Sequence, residues 1–231
     1  MKAALLIIGS LFAVIFFSFV PKTSAQTASS PQFLITWKTS GSYVPPNYED
    51  KALPTYGSEI TASVQLFSQG QLLNLQNQTI YWYINNALIG GGVGVQQISF
   101  PPLGTPPSFF TLEVEIPSYN GNFLIHDVQI PMVNPTAVVY APYPGGETSA
   151  NPINVQALPY FFNITDPSKL SYAWQVNDQP GTNTENPENL QVTVPTNAPS
   201  GTPVNISLTV QNSQDSTMAT ADANLTYVTQ L

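Results

Sequence analysis

The chain of 231 residues has no cysteine, no arginine, a single histidine and only 8% charged residues. The lack of cysteine excludes disulfides, thiolate metal sites, cysteine nucleophiles and a lipid-modified N-terminal cysteine. Stability therefore has to come from hydrophobic cores alone. Five lysines face 13 acidic residues, and Lys2 and Lys22 lie in the apolar N-terminal segment, which leaves Lys38, Lys51 and Lys169 for the rest of the molecule. Nucleic acid is excluded as a partner, because phosphate binding needs clustered Lys and Arg. A polyanionic partner is disfavoured for the same reason. Helical signals are scarce too: beyond the N-terminal segment no window of a dozen residues keeps a 3.6-residue apolar period free of Pro or Gly.

What is present begins with Met1-Lys2, an apolar run from Ala3 to Val20, and small residues leading to Ala25. That pattern reads as a secretory signal or a retained hydrophobic anchor helix over residues 1–25, followed by a polar spacer over 26–31. The rest is expected to be extracellular or on the cell surface, touching membrane only through the N-terminal segment if it is uncleaved.

The remaining sequence repeats. Trp82-Tyr83-Ile84-Asn85-Asn86 returns as Trp174-Gln175-Val176-Asn177-Asp178, and Ile98-Ser99-Phe100-Pro101 with Gly104-Thr105-Pro106 returns as Val192-Thr193-Val194-Pro195 with Gly201-Thr202-Pro203. The period is about 95 residues, the size of a small all-β domain. Alternating apolar and polar residues mark strands throughout, as at Ile60, Ala62, Val64 and Leu66 or at Ile153-Asn154-Val155-Gln156-Ala157. The pattern predicts an all-β fold of two tandem immunoglobulin-like antiparallel β-sandwiches, spanning 32–133 and 134–231, with a tryptophan at the centre of each core. Asn85-Asn86 and Asn177-Asp178 follow the tryptophan strands where the chain must turn, and both residue types tolerate left-handed backbone.

Catalytic equipment is hard to assemble from these residues. His126 and Asp127 are strand neighbours and point to opposite faces, so they cannot act as a hydrogen-bonded pair. Glu113 and Glu115 share a face about 6 to 7 Å apart, but on one surface and not across a cleft. Gly90-Gly91-Gly92-Val93-Gly94 has neither the Lys-Ser/Thr tail nor the helix of a phosphate-binding loop. Asp178, Glu185 and Glu188 form a polar cluster that is a weak candidate for calcium; otherwise no metal, and no cofactor, is expected. Four Asn-x-Ser/Thr triplets, at Asn77, Asn163, Asn205 and Asn224, are within what an Asn- and Thr-rich chain contains by chance.

One segment breaks the economy of the repeat. Over 42–57, Tyr43, Tyr48 and Tyr56 alternate with Pro45, Pro46 and Pro54. A loop this long is functional or disordered as a rule, so the three tyrosines are candidate ligand contacts, by stacking on sugars or packing on a protein, with capping of the sandwich end as the alternative. Tyr140 and Tyr143 are further aromatic candidates if they are exposed on one face.

On the residues of its two tryptophan strands the chain resembles bacterial immunoglobulin-like and polycystic-kidney-disease-like modules, although Trp174-Gln175-Val176-Asn177-Asp178 departs from the usual Trp-Asp-Phe-Gly-Asp of the latter. With the leader, the Trp37-Lys38 strand, and the Tyr43-Val44-Pro45-Pro46 and Lys51-Ala52-Leu53-Pro54 loop, it also resembles secreted surface proteins of candidate-phylum bacteria. The resemblance implies a display, adhesive or envelope role and no catalytic residue. The expected function is a non-enzymatic secreted or cell-surface structural or adhesive module with a protein or glycan partner. The alternatives are a carbohydrate-binding module and a self-assembling surface-layer or pilus-like subunit.

Overall fold

Strand follows strand along the whole of the computed structural model, which describes residues 30–181 and 185–229; the expected leader and most of the spacer lie outside them. In the first half the strands are β1 (Gln32–Ser40), β2 (Glu59–Ser68), β3 (Gln71–Leu72), β4 (Thr79–Ile84), β5 (Ala87–Val93), β6 (Gln97–Phe100), β7 (Ser108–Tyr119) and β8 (Asn122–Met132). In the second they are β9 (Thr136–Tyr140), β10 (Glu147–Thr148), β11 (Ile153–Tyr160), β12 (Leu170–Val176), β13 (Gln179–Gly181), β14 (Asn189–Val192), β15 (Thr202–Asn212) and β16 (Met218–Tyr227). No described helix is long and apolar enough to cross a membrane.

The duplication in sequence is a duplication in topology. In the first half β2 pairs with β1 on one side and with β3 and β6 on the other, while the second sheet runs β5-β4-β7-β8. In the second half β14-β11-β9 opposes β10-β16-β15-β12-β13. With β3 and β10 unmatched, β1, β2, β4, β5, β6, β7 and β8 correspond to β9, β11, β12, β13, β14, β15 and β16, and each half is an immunoglobulin-like sandwich in which the chain changes sheet before β4, β6 and β7, or before β12, β14 and β15. All the pairings are antiparallel except the short β10–β16 contact.

Alternation decides which side chains go inside. On β2, Ile60, Ala62, Val64 and Leu66 are buried, and on β7, Phe110, Leu112, Val114 and Ile116; with Trp82 they form the first core. The second core gathers Ile153, Val155, Trp174, Ile206 and Leu208 among others. Trp82 has 0% exposure, and its indole N–H donates to the Val95 carbonyl at 2.9 Å. Trp174 repeats the bond to the Pro187 carbonyl, also at 2.9 Å. Each acceptor precedes the short strand of the opposite sheet, β6 or β14, so the indole ties one sheet to the other as well as filling the space between them.

The turns after the tryptophan strands are two-residue hairpins with left-handed backbone at both positions: φ is 48° and 68° at Asn85 and Asn86, and 48° and 63° at Asn177 and Asp178. This is the type I′ geometry that matches strand twist. Asn85 Oδ1 accepts from the Thr111 amide and Asn177 Oδ1 from the Asn205 amide, both at 2.9 Å, so each asparagine also fixes the hairpin to the next strand.

Replacing Trp82 by Phe removes ring volume and leaves the Val95 carbonyl without its donor. The expected cost is about 2 kcal/mol, or about 10 °C in the melting temperature of a domain of this size, read by circular dichroism. An unchanged melt refutes the role of the indole bond.

Candidate functional site

The long loop between β1 and β2 is ordered by its own side chains. Ser42 donates to the Leu53 carbonyl at 2.6 Å, the buried Ser58 hydroxyl donates to the Thr55 carbonyl at 2.8 Å, and the Lys51 ammonium sits 3.8 Å above the Trp37 ring. Burial there pushes the Lys51 pKa down.

The loop reaches the second core. Tyr43 packs against it, its N–H donates to the Phe162 carbonyl at 2.9 Å, and its carbonyl accepts from the Phe161 N–H at 2.6 Å. Tyr48 meets Tyr160 and Phe161 edge-on, with ring centroids 5.8 and 6.0 Å away. The Val133 N–H, between β8 and β9, donates to the Pro54 carbonyl at 2.9 Å. Gly41 and Gly57, with φ of 77° and 80°, lie against the Asn163 side chain; a Cβ at Gly41 would come within 2.7 Å of its oxygen, and one at Gly57 would also collide with it. Of the three tyrosines, Tyr43 and Tyr48 are thus engaged with the second half of the chain, and Tyr56 alone stands open, at 60% exposure.

Beside this contact lies an acidic pair. Asp166 is held below its usual range by the Ser168 backbone and side-chain hydrogen bonds and by Lys169. Glu188 is pushed up by burial and by the negative charge of Asp166. Burial, Glu188 and Asp166 also raise the Tyr43 phenol, and the Tyr172 phenol more strongly; its O–H donates to the Pro167 carbonyl at 3.0 Å. Among the described residues no three His, Cys, Asp or Glu gather closely enough to hold a cation. Asp178, Glu185 and Glu188 are accordingly not brought together, since Asp178 is committed to the β12–β13 turn. His126 stacks on Phe33 with centroids 5.4 Å apart. Glu113 and Glu115 face Tyr83 and Tyr81 across the β4–β7 pair, as neighbours on one face of one sheet.

A groove of about 450 Å³ opens on the outer face of the β14-β11-β9 sheet. Its floor follows from strand register. Gln156 of β11 pairs with Tyr140 of β9 on one side and with Asn189 of β14 on the other, while Asn154 pairs with Gln191. Because core residues occupy the alternate positions Ile153, Val155 and Leu190, these five side chains share the outer face. Asn186 and Pro142 add to the lining, with Val155 and Leu190 beneath. Tyr140 is 50% exposed. Tyr143 has a different role: its hydroxyl accepts from the Asn154 N–H at 2.8 Å and bonds the Asn154 carbonyl at 3.2 Å, pinning the strand beneath the groove.

Among the described residues the groove is lined by one aromatic ring and five amide side chains, and by no Lys, Arg, Asp or Glu. Such a lining can hold a neutral, hydroxyl-rich ligand, since an amide both donates and accepts. It does not contain the pair of carboxyl groups that most glycoside hydrolases use. The alternation in β11 already places Asn154 and Gln156 outward, but their alignment with Tyr140 depends on cross-strand register, which is not local information.

No protein-family model and no curated protein matches this chain. Among solved structures it is similar to the fibronectin(III)-like modules of Clostridium thermocellum CbhA, with 14% identity, a TM-score of 0.31, and coverage of 85% of this chain and 94% of that one. It is also similar to Bacteroides ovatus SGBP-B of a mixed-linkage glucan utilization locus, solved with a mixed-linkage heptasaccharide (10%, TM-score 0.28, 86% and 47%). A third is the three N-terminal domains of the bacteriophage RB49 outer capsid protein Hoc (11%, TM-score 0.32, 87% and 71%). With superpositions this loose, the fold rests on the strand order itself, and the resemblance to candidate-phylum surface proteins gains no support.

Two outcomes follow from the loop and the acidic pair. Tyr43→Ala should cost about 2 kcal/mol, roughly half the value of a fully buried ring, and should uncouple the melting of the two halves in calorimetry; one unshifted transition refutes the contact. A carboxyl whose pKa is raised by folding contributes stability below its unfolded value and loses it as pH rises through the folded value. Glu188→Gln should therefore raise the melting temperature at pH 7 and lose that advantage at pH 4.

Proposed function

We propose that this chain is a non-enzymatic, exported binding module made of two immunoglobulin-like domains, 32–133 and 134–231, and that it binds a neutral glycan through the groove at Tyr140. The observation that carries the proposal is the composition of that groove, an exposed ring beside a row of amides with no charged side chain. The flat ring of Tyr140 offers a surface for the C–H face of a pyranose, as aromatic side chains do for apolar faces in general. Asn154, Gln156, Asn189 and Gln191 offer paired donors and acceptors to the hydroxyl groups around it. Neighbouring strands are about 4.8 Å apart, so the row Tyr140–Gln156–Asn189 steps across the sheet at intervals close to the rise of one ring in an extended glycan.

Charge supports the same ligand class. The three lysines outside the leader are absent from the groove lining, so a sulfated or uronic polymer would find no counter-charge and an acidic protein around it. The loop over 42–57 then serves as a joint between the domains, with Tyr43 and Tyr48 as its anchors, and not as the ligand contact. Tyr56 is the one loop tyrosine free to touch a partner.

Tyr140→Ala should weaken binding of neutral hexasaccharides (cellohexaose, laminarihexaose and mannohexaose as probes) about tenfold, the size of one lost stacking contact, with the circular dichroism spectrum unchanged. Tyr56→Ala should leave binding as it is. If Tyr56→Ala abolishes binding and Tyr140→Ala does not, the site lies on the loop instead.

A further inference from the structure

A second groove, of about 430 Å³, lies on the first sandwich between Asn77, Gln78, Thr79, Tyr81, Pro117 and Ser118. We propose that it is a second site for the same neutral glycan, so that one chain holds two ligands; this rests on the carbohydrate reading of the Tyr140 groove.

The groove is built and not incidental. One wall is the turn before β4, where the Gln78 N–H donates to the Leu75 carbonyl at 3.0 Å, the Gln78 carbonyl accepts from the Gly94 N–H at 2.9 Å, and the Gln76 N–H donates to Asn74 Oδ1 at 2.9 Å. Leu75 is buried beneath that turn and plugs it to the core. The opposite wall exists because the β7–β8 register shifts between Ile116 and Tyr119, which takes Pro117 and Ser118 out of the ladder. The Tyr81 ring forms the floor. It is in close contact with the β5 backbone at Gly91, where a Cβ would stand 2.6 Å from Tyr81 Cδ1 and from the Ile80 carbonyl oxygen.

Its chemistry is close to that of the first groove, with one tyrosine ring, amide side chains and a proline, to which Thr79 and Ser118 add hydroxyls; no charged residue is in the lining, and Glu115 lies opposite Tyr81 on β7. The match is not a remnant of the duplication. The residue before the core tryptophan is Tyr81 in the first copy but Ala173 in the second, and the two grooves occupy different sheets, Tyr81 on β4 and Tyr140 on β9. A tyrosine ring beside amide side chains and a proline has therefore arisen at two non-equivalent places. Two weak sites on one chain retain a polymer or a glycan-coated surface far better than one, because the second contact is made at a high effective concentration.

The test is isothermal titration of the full chain with cellohexaose, laminarihexaose and mannohexaose, with hexagalacturonate as the anionic control. The expected result is two equivalents of a neutral hexasaccharide per chain, falling to one in either Tyr81→Ala or Tyr140→Ala and to none in the double variant. Because Tyr81→Ala also strips a ring from β5, Ser118→Trp is the paired variant: Ser118 is exposed, so the larger ring fills the groove without removing a core contact, and it too should leave one equivalent. A single equivalent that is lost in Tyr140→Ala and untouched by Tyr81→Ala and Ser118→Trp overturns the second site and leaves the first standing. A single equivalent lost only in the Tyr81 and Ser118 variants supports this groove and overturns the Tyr140 site. Absence of binding to every neutral probe, or binding of hexagalacturonate alone, overturns both.

Discussion

Each sandwich is closed by one indole. In a protein with no disulfide, the two sheets are held face to face by apolar contact, which is strong but has no direction. The Trp82 and Trp174 N–H groups add direction, each reaching a carbonyl just before the short strand of the facing sheet. That bond holds the start of β6 against β4 and the start of β14 against β12, across the two sheets. Because β14 carries Asn189 and Gln191, the same bond tethers one edge of the Tyr140 groove to the second core.

The fold was legible because its determinants are local or periodic. Alternation along β2, β7 and β11 assigns the core without knowledge of any partner strand, and the repeated Trp-x-x-Asn-Asn/Asp marks both the core ring and the turn behind it. β5 was harder to see: Ala87-Leu88-Ile89-Gly90-Gly91-Gly92-Val93 has little strand propensity and is a strand because β4 lies beside it. The short β3, β10 and β13 are likewise products of their neighbours.

The sites were less legible, for a related reason. The tyrosines of the long loop stand out in the sequence, where their pattern suggests ligand contact or capping of the sandwich end. Their actual neighbours, Tyr160, Phe161 and Phe162, lie far along the chain, and nothing near Tyr43 identifies them. The amide row of the groove is spread over three strands, and its members look like ordinary solvent-facing positions of an Asn- and Gln-rich protein. Tyr140 is recognisable as a candidate from its position, but only cross-strand pairing separates it from Tyr143, which has gone into the framework.

The contact between Tyr43 and Phe162 also has an order in time. A chain made from its N-terminus presents β1 to β8 first, and domains fold as units while synthesis continues. The first core can close with its loop still undocked, since every buried residue of that core lies upstream of β9. Tyr43 and Tyr48 remain uncovered until residues 160–163 emerge and the second core forms around them. The joint is thus the last part of the molecule to mature, and its completion reports that both halves have been made.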